Sequence, residues 1–308
     1  MSPAVPDPVV PAAPADLDRM SPAEVAGLLL DAEERVAPAV RRALPAIAAA
    51  AELVADRLRA GGRLVLVGAG TSGRLAVLQA AELPGTFGLP AGTVIGLTAG
   101  AGPGGLTGTD ADEDDAAAGR QAMAGIGATA GDTVIAVAAS GRTPYTLAAA
   151  QAAMVVGAAV VAVTTTRPSP LADLARVAVE VPIGVEVLRG STRLTAGSAQ
   201  KMVLDALTTA AMVRLGRVHG DLMIDVVPAN GKLRDRAAGL VAEIAGCAPA
   251  AARAALDRCD WSARAAVLHL AAGLPPERAA VVAAEHPTLR AALAAVGAAS
   301  PAGGGAVR

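Results

Sequence analysis

Apolar positions along the chain alternate between short continuous runs and the three-to-four-residue spacing of helices, and this change predicts the elements. Apolar runs bounded by glycine and polar loops predict five buried strands, at Leu64–Val67, Val94–Leu97, Val134–Ala138, Val160–Val163 and Val177–Val181. Helical spacing predicts helices near Leu75–Ala80, Ala116–Met123, Pro144–Val156 and Ser198–Arg214. Because strands that alternate with helices form mostly parallel sheets wrapped by helices, the pattern predicts an α/β fold.

Helices also flank this α/β region. Ser21 and Glu24 have the spacing of a capping box, and a second helix is predicted from about Pro45 to Arg59, before the glycine pair at 61–62. After Leu233 the pattern is of short helices only. These features predict four segments: a flexible tail at 1–18, an α/β domain with N-terminal helices at 19–232, a small helical domain at 233–299 and a tail at 300–308.

Composition narrows the class of protein. The 308 residues are 53% hydrophobic with a net charge of −2, which excludes wholesale disorder and gives no general attraction to nucleic acid or membranes. No apolar run approaches the roughly 18 to 20 residues that span a bilayer, and the N-terminus lacks the basic start of a signal peptide. Cys247 and Cys259 are too few to cross-link a secreted chain of this size. We therefore predict a cytoplasmic protein with no nucleic-acid or membrane partner.

Two strand-to-helix loops repeat the same tripeptide, Ser-Gly-Arg. In open α/β sheets ligands bind at the carboxyl ends of the strands, where a helix N-terminus offers free N–H groups and partial positive charge to an anion. Glycine lets the backbone approach and hydroxyls add donors, so the loops predict a phosphate site. Its candidate residues are Gly70, Thr71, Ser72, Gly73 and Arg74 in the first loop, Ser140, Gly141, Arg142 and Thr143 in the second, and Ser191 and Thr192 in a third hydroxyl-rich turn.

The first loop also matches the Gly-x-Gly-x-x-Gly pattern of dinucleotide-binding proteins, from Gly68 to Gly73. That function requires an acidic residue at the end of the second strand to hold the ribose, and the strand ends instead in Leu97-Thr98-Ala99-Gly100. Three hydroxyl-rich turns suit the oxygens of a phosphate monoester. The pattern therefore favours a phosphosugar over a dinucleotide, and plain tight turns explain one such loop more easily than two.

Two glutamates are candidates for proton transfer. Glu82 precedes a proline turn near Phe87, where partial burial would raise its pKa into the range of a general acid. Glu113 lies in the acidic run Asp110–Asp115, which follows a glycine-rich loop. The alternatives are a surface glutamate at a helix end and a solvated run of charge.

Lys201 and Lys232 are the only lysines in a chain whose other basic side chains are arginines. A lysine in such a chain indicates a need for a compact ammonium group with a tunable pKa, and the alternative is chance. The histidines, His219, His269 and His286, are far apart and lack ligand-like neighbours, so no metal site is predicted.

Four stretches in order resemble the N-acetylmuramic acid 6-phosphate etherases of the sugar-isomerase (SIS) superfamily: Gly68–Leu75, Ala139–Tyr145, Gly190–Lys201 and Gly220–Leu233. The resemblance covers roughly residues 16–295. It implies a flavodoxin-like α/β domain followed by a small helical domain similar to ubiquitin-associated domains. It also implies cleavage of the lactyl ether of N-acetylmuramic acid 6-phosphate, giving N-acetylglucosamine 6-phosphate and D-lactate in cell-wall recycling, without a metal or organic cofactor. We expect a homodimer whose small-molecule partner is the phosphosugar.

The acidic pair of the family falls on Glu82 and Glu113. We predict that Glu82 protonates the departing lactate oxygen, that Lys232 assists opening of the sugar ring and that Lys201 belongs to the substrate-binding set. The pattern leaves open which of the two glutamates takes the C2 proton, since one carboxylate can serve both steps of a syn elimination. The chain departs from the family pattern at Thr195, where lysine is usual.

Three other functions share part of this pattern. A phosphosugar isomerase would use the same phosphate site and C2 proton chemistry, and release of lactate distinguishes the two activities. A non-catalytic sugar-phosphate sensor would need neither glutamate. A transcription regulator would need a DNA-binding domain, and the residues before the first strand are too few and too weakly basic to supply one.

Overall fold

The computed structural model describes residues 16–297. The tail predicted at 300–308, and residues 1–15 of the tail predicted at 1–18, lie outside the described residues, and the described part opens with a 3₁₀ turn at Leu17–Arg19. The helices are α1 (Pro22–Glu33), α2 (Val36–Arg42), α3 (Leu44–Arg59), α4 (Gly70–Phe87), α5 (Ala116–Gly125), α6 (Pro144–Val155), α7 (Pro170–Leu174), α8 (Thr195–Arg214), α9 (Gly231–Ala245), α10 (Pro249–Arg258), α11 (Ala263–Ala272), α12 (Pro276–Glu285) and α13 (Leu289–Ala295). The strands are β1 (Leu64–Gly68), β2 (Val94–Thr98), β3 (Thr133–Val137), β4 (Ala159–Thr164) and β5 (Val177–Glu180).

The five strands form one parallel sheet in the order β2-β1-β3-β4-β5. This is the flavodoxin-like strand order, with its switch point between β1 and β3. Every strand lies within two residues of its predicted bounds, because buried parallel strands appear in a sequence as short continuous apolar runs. The predicted α/β fold is confirmed.

Small residues allow close packing of helices on this sheet. Val65 and Val67 of β1 are buried in a cluster with residues of α5 and α6, and the alternate residues, Leu64 and Leu66, are equally buried on the opposite face. A Cβ atom added to Gly119 of α5 would overlap the backbone carbonyl of Tyr145 in α6. Gly119 therefore allows the backbones of α5 and α6 to approach closely.

Local signals start and end the helices as predicted. Ser21 and Glu24 form a complete capping box at the start of α1, with the Ser21 N–H donating to the Glu24 carboxylate at 2.8 Å. The α3 helix ends at Arg59, and Gly61 follows with a φ of +86°. Asn230 caps α9 by accepting a hydrogen bond from the Leu233 N–H at 2.9 Å.

The chain forms two compact units. The first unit takes in the described residues up to Ala81 and Gly92–Ala210, and it contains the sheet. The second takes in Glu82–Ala91 and the described residues from Ala211 onward, and its core joins α9 to α13 through residues such as Val241 and Leu268. The domain boundary predicted after residue 232 stays a prediction.

An ion-pair network organises the second unit. Arg264 donates to both carboxylate oxygens of Asp225, at 2.6 and 2.7 Å, and to the Gly216 carbonyl at 2.7 Å. The segment that carries Asp225 also contacts the end of α4, because the Val227 N–H donates to the Gly85 carbonyl at 3.0 Å. The segments that carry Glu82 and Lys232 are thus held to a common framework. The proline turn predicted after Glu82 is wrong, because Pro84 lies inside α4.

In the described part of the chain, no one helix is both long enough and apolar enough to cross a membrane. Only α9 and α10 taken together satisfy the length and composition, and the two are bent by 108°.

Candidate functional site

The two Ser-Gly-Arg loops leave neighbouring strands at the carboxyl edge of the sheet. Gly68 at the end of β1 is paired with Val137 at the end of β3, so the loops start side by side. The first loop is tightly packed, because a Cβ atom on Gly73 would overlap the Thr98 hydroxyl at the end of β2. Gly70 begins α4 with a φ of +53°, a conformation that favours glycine. The loop therefore sets the start of α4 directly on the sheet edge.

The first loop presents its polar side chains in three different environments. Thr71 is half-buried and lines a pocket, and Arg74 is exposed. Ser72 is buried, and its hydroxyl donates to the Gln200 Oε1 atom of α8 at 2.9 Å. The Ser72 hydroxyl, one of the hydroxyls predicted to bind phosphate, therefore already donates a hydrogen bond within the protein.

The second loop is held by Gly141, which is buried with a φ of +62° and lies against Ser169. Ser140 is exposed, and its hydroxyl oxygen accepts a hydrogen bond from the Arg142 N–H at 3.2 Å. Thr143 occupies the N-cap position of α6 without making a side-chain capping bond. The first turn of α6 thus points uncapped N–H groups toward the same edge of the sheet.

Ser191 and Thr192 lie in the turn that leads into α8, and a buried carboxylate occupies the start of that helix. Glu186 accepts hydrogen bonds from the Thr195 N–H, the Thr195 hydroxyl and the Ala196 N–H, at 3.1, 2.7 and 2.9 Å. Thr195 therefore supplies two of the three donors, its N–H and its hydroxyl. No sequence pattern pointed to Glu186, because a capping acid nine residues before its helix follows no local motif.

Glu113 lies against the start of α4. It belongs to a 3₁₀ turn, Asp110–Asp114, which begins with a reciprocal capping interaction between Thr109 and Asp112. A Cβ atom on Gly70 would overlap the Glu113 Oε1 atom, so only glycine leaves room for the carboxylate at this position. Glu113, Gly70 and Arg74 line a small pocket of about 10 Å³, room for about one water molecule.

The environment of Glu113 changes its acidity. Partial burial raises the pKa of the Glu113 carboxyl above its ordinary value, and the nearby charge of Asp110 acts in the same direction. The Arg74 guanidinium opposes the shift by favouring the ionised form. Of the two predicted catalytic glutamates, Glu113 is therefore one that the fold partly buries.

The predicted partial burial of Glu82 is wrong. Glu82 is exposed, whereas Leu83 and Phe87, four residues apart on α4, are buried at 2% and 7% exposure. Residues at i and i+4 share one face of a helix, so the face that carries Leu83 and Phe87 turns inward and Glu82 lies outside it. Proximity to phenylalanine in the sequence did not indicate burial.

The two lysines differ in their surroundings. Lys201 is half-buried on α8 and forms an ion pair with Asp205 one turn later. Lys232 is exposed at the second residue of α9, beside the Asn230 cap. A cation is unfavourable at a helix N-terminus, so the position of Lys232 is not one that helix stability selects.

A larger pocket of about 570 Å³ opens beside the first loop. This volume falls within the usual range of small-molecule sites. Ser198 on its wall donates to the Glu33 carboxylate of α1 at 3.0 Å, so the N-terminal helices take part in this wall. Its lining includes Thr71, Lys201, Arg193, Ser198, Glu33 and Met202.

The first unit therefore brings together both loops, the Ser191–Thr192 turn, Lys201 and Glu113. Glu82 and Lys232 belong to the second unit. Among residues 16–297, no three His, Cys, Asp or Glu side chains are grouped so that they would hold a metal ion.

Three comparisons with known proteins found a matching family, curated relatives and solved structures that resemble this chain. The SIS domain family matches residues 31–165. An N-acetylmuramic acid 6-phosphate etherase from Rubrobacter xylanophilus is 47% identical over 86% of this chain and 88% of its own length. One from Yersinia pestis is 45% identical over 90% of this chain and 95% of its own. The solved structure of a phosphoheptose isomerase from Francisella tularensis is 19% identical, with a TM-score of 0.48 over 63% of this chain and all of that one.

Proposed function

We propose that this chain, which belongs to the N-acetylmuramic acid 6-phosphate etherase family, cleaves the D-lactyl ether of N-acetylmuramic acid 6-phosphate. The products are N-acetylglucosamine 6-phosphate and D-lactate, formed in the recycling of cell-wall amino sugars. The enzyme is a carbon–oxygen lyase. Identity of 45–47% to curated etherases over most of both chains supports this assignment.

The chemistry explains why acidic side chains are needed. An alkyl ether is a poor leaving group, so elimination is easier than direct displacement. Opening of the sugar ring exposes an aldehyde at C1, which acidifies the C2 proton. Loss of that proton and cleavage of the C3–oxygen bond form a C2–C3 double bond, and a proton goes to the lactate oxygen. Water then adds, with its hydroxyl on C3 and a proton on C2. These reaction steps require a base at C2 and an acid at the ether oxygen.

Glu113 takes the C2 proton in this proposal. A carboxylate whose pKa is raised is a stronger base than an ordinary glutamate. Burial at the start of α4 supplies that shift. This placement of Glu113 against Gly70, next to the first Ser-Gly-Arg loop, is the observation that carries the mechanism.

Glu82 protonates the departing lactate oxygen, and Lys232 assists ring opening. The Glu82 role follows from the match of this position to the family pattern. The Lys232 role rests on its being one of only two lysines and on its place after the Pro-Ala-Asn-Gly turn that ends the last motif. Lys232 is an ammonium group that can donate a proton to the ring oxygen, whereas the pKa of arginine stays above about 12.

The 6-phosphate binds at the two loops. Uncapped N–H groups at the start of α6, the hydroxyls of Thr71, Ser140 and Thr143, and the glycines that expose the backbone suit a phosphate monoester. The Ser191–Thr192 turn and Lys201 complete the substrate-binding set. Anchoring the phosphate orients the sugar, so binding energy far from the ether contributes to the rate.

One assay tests the activity. Purified protein is mixed with N-acetylmuramic acid 6-phosphate, and released D-lactate is measured over time. An isomerase would change the sugar without releasing lactate, and a sensor would bind the sugar phosphate without any turnover. Either result would exclude the etherase.

We further propose a homodimer in the cytoplasm. Light scattering on the purified protein measures its mass directly, and fractionation of cells tests the compartment. A monomeric mass would contradict the proposed assembly without affecting the proposed chemistry.

A further inference from the structure

Two buried polar bridges connect α4 to α8 within the first unit. Ser72 donates to Gln200 Oε1 at 2.9 Å, and the Gln79 Nε2 atom donates to the Thr208 hydroxyl at 2.7 Å. The partners advance by seven residues on α4 and by eight on α8, so the two helices run in the same direction. Ser72 and Gln200 lie at the phosphate-loop end, and Gln79 and Thr208 lie two turns farther along.

The Gln200 side chain is only half satisfied. It is 1% exposed; its oxygen accepts from Ser72, and its Nε2 atom has no hydrogen-bond partner in the described part of the chain. Rotating the terminal amide by half a turn exchanges the two ends. Nε2 would then donate to the Ser72 oxygen, and Oε1 would be the group without a partner. Each orientation leaves one polar end of the buried amide without a partner in the described part of the chain.

The two orientations differ in what they do to Ser72. In the observed orientation the Ser72 hydrogen points to Gln200. In the rotated orientation Ser72 accepts from Gln200, and its own hydrogen is free to donate elsewhere. A phosphate at the first loop can use only the second arrangement, because an ionised phosphate oxygen needs a donor.

We infer that Gln200 is a positioning residue for phosphate recognition, and that its amide rotates to direct the Ser72 hydroxyl hydrogen toward the bound 6-phosphate. The inference rests on the proposed phosphate site. Phosphate binding shifts the population toward the rotated amide, because only that state offers the extra charged hydrogen bond. The ligand need not move the backbone, since a single side-chain torsion carries the change.

Gln200→Met tests the inference, with Gln79→Met as the matched control. Methionine has a similar length and volume and no amide, and both glutamines are buried between the same two helices. We expect Gln200→Met to raise KM for the 6-phosphate substrate and Ki for inorganic phosphate by about tenfold, with kcat within about twofold of wild type. Gln79→Met is expected to change Tm by a similar amount and to leave KM and Ki unchanged. Equal effects of the two variants on KM would overturn the inference.

A double mutant separates positioning from packing. If Gln200 acts through Ser72, then Gln200→Met has no further effect on Ki for phosphate in a Ser72→Ala background. A purely structural role predicts the same fold-change in both backgrounds and would overturn the inference.

Gln200→Glu gives an independent measurement if the methionine variant does not fold. An ionised carboxylate only accepts, so it holds the Ser72 hydrogen and repels phosphate. We expect it to raise Ki for phosphate by more than Gln200→Met does, and an unchanged Ki would overturn the inference. If wild-type protein releases no lactate, the proposed function fails, yet the rise in Tm caused by inorganic phosphate still compares the variants.

Discussion

The two glutamates proposed for catalysis occupy contrasting surroundings in this chain. Glu113 is partly buried against Gly70, beside Arg74, and its pKa is raised. Glu82 is exposed on α4, in the second unit, on a helix whose buried face carries Leu83 and Phe87. The fold at the sheet edge therefore partly buries one carboxylate and raises its pKa before any substrate binds. It also places the raised pKa on Glu113, whereas the sequence predicts a raised pKa for Glu82.

The largest expected effect comes from removing the acid. Glu82→Gln keeps the shape of the side chain and removes its transferable proton, so lactate release should fall by about a thousandfold. Exchange of the C2 proton with deuterated solvent should continue, because Glu113 still acts as the base. Mass spectrometry of the recovered substrate measures that exchange, and Glu113→Gln is the comparison variant that should lose it. Full elimination activity in Glu82→Gln would contradict the assignment.

A second prediction displaces Glu113 without changing it. Gly70→Ala places a methyl group where the carboxylate lies, and a misplacement of about 1 Å can cost up to about 100-fold in rate. We expect kcat to fall by about 10- to 100-fold. Gly61→Ala is the matched control, because Gly61 also has a positive φ and nothing lies within 4 Å of an added Cβ. The fit of Glu113 against Gly70 is supported if both variants lower Tm by similar amounts and only Gly70→Ala lowers kcat. Equal losses of kcat in the two variants would contradict it.

The same contrast shows how much of the fold the sequence contained. The strands and capping signals were predictable because they depend on local apolar runs and on residues three apart, as at Ser21 and Glu24. The placement of the two Ser-Gly-Arg loops was predictable because parallel strands share a carboxyl edge.

The rest of the site depends on contacts that are distant in sequence. Ser72 and Gln200 are 128 residues apart, and the fit of Glu113 against Gly70 depends on the path of an entire loop. Burial of Glu82 was predicted wrongly because sequence proximity to Phe87 does not fix which face of a helix a residue occupies. The residue types that could act in catalysis or binding were therefore identifiable from the sequence. Their burial and hydrogen-bond partners depend on the folded structure.

Lys232 belongs to the same unit as Glu82, and its proposed role gives a third prediction. In the proposed mechanism its ammonium helps open the pyranose ring, and guanidinium cannot replace it because arginine holds its proton too tightly. Lys232→Arg should lower turnover of the closed-ring substrate by about tenfold, at the low end of general acid–base contributions. An open-chain analogue should still be processed at the wild-type rate. Unchanged turnover of the closed-ring substrate would show that the lysine is structural.

The smallest expected effect tests whether Glu113 is the base. Arg74 favours the ionised form of Glu113, so Arg74→Gln should raise the pKa of that carboxyl further. A base must be ionised to act, and activity falls as the pH drops through its pKa. The acid limb of kcat/KM should therefore move to higher pH. Arg74→Lys keeps the charge and should leave the limb in place, and titration of the substrate phosphate is common to all three enzymes. If Glu113 were the acid instead, the alkaline limb would move upward while the acid limb stayed, so the direction and the limb together decide which glutamate takes the C2 proton.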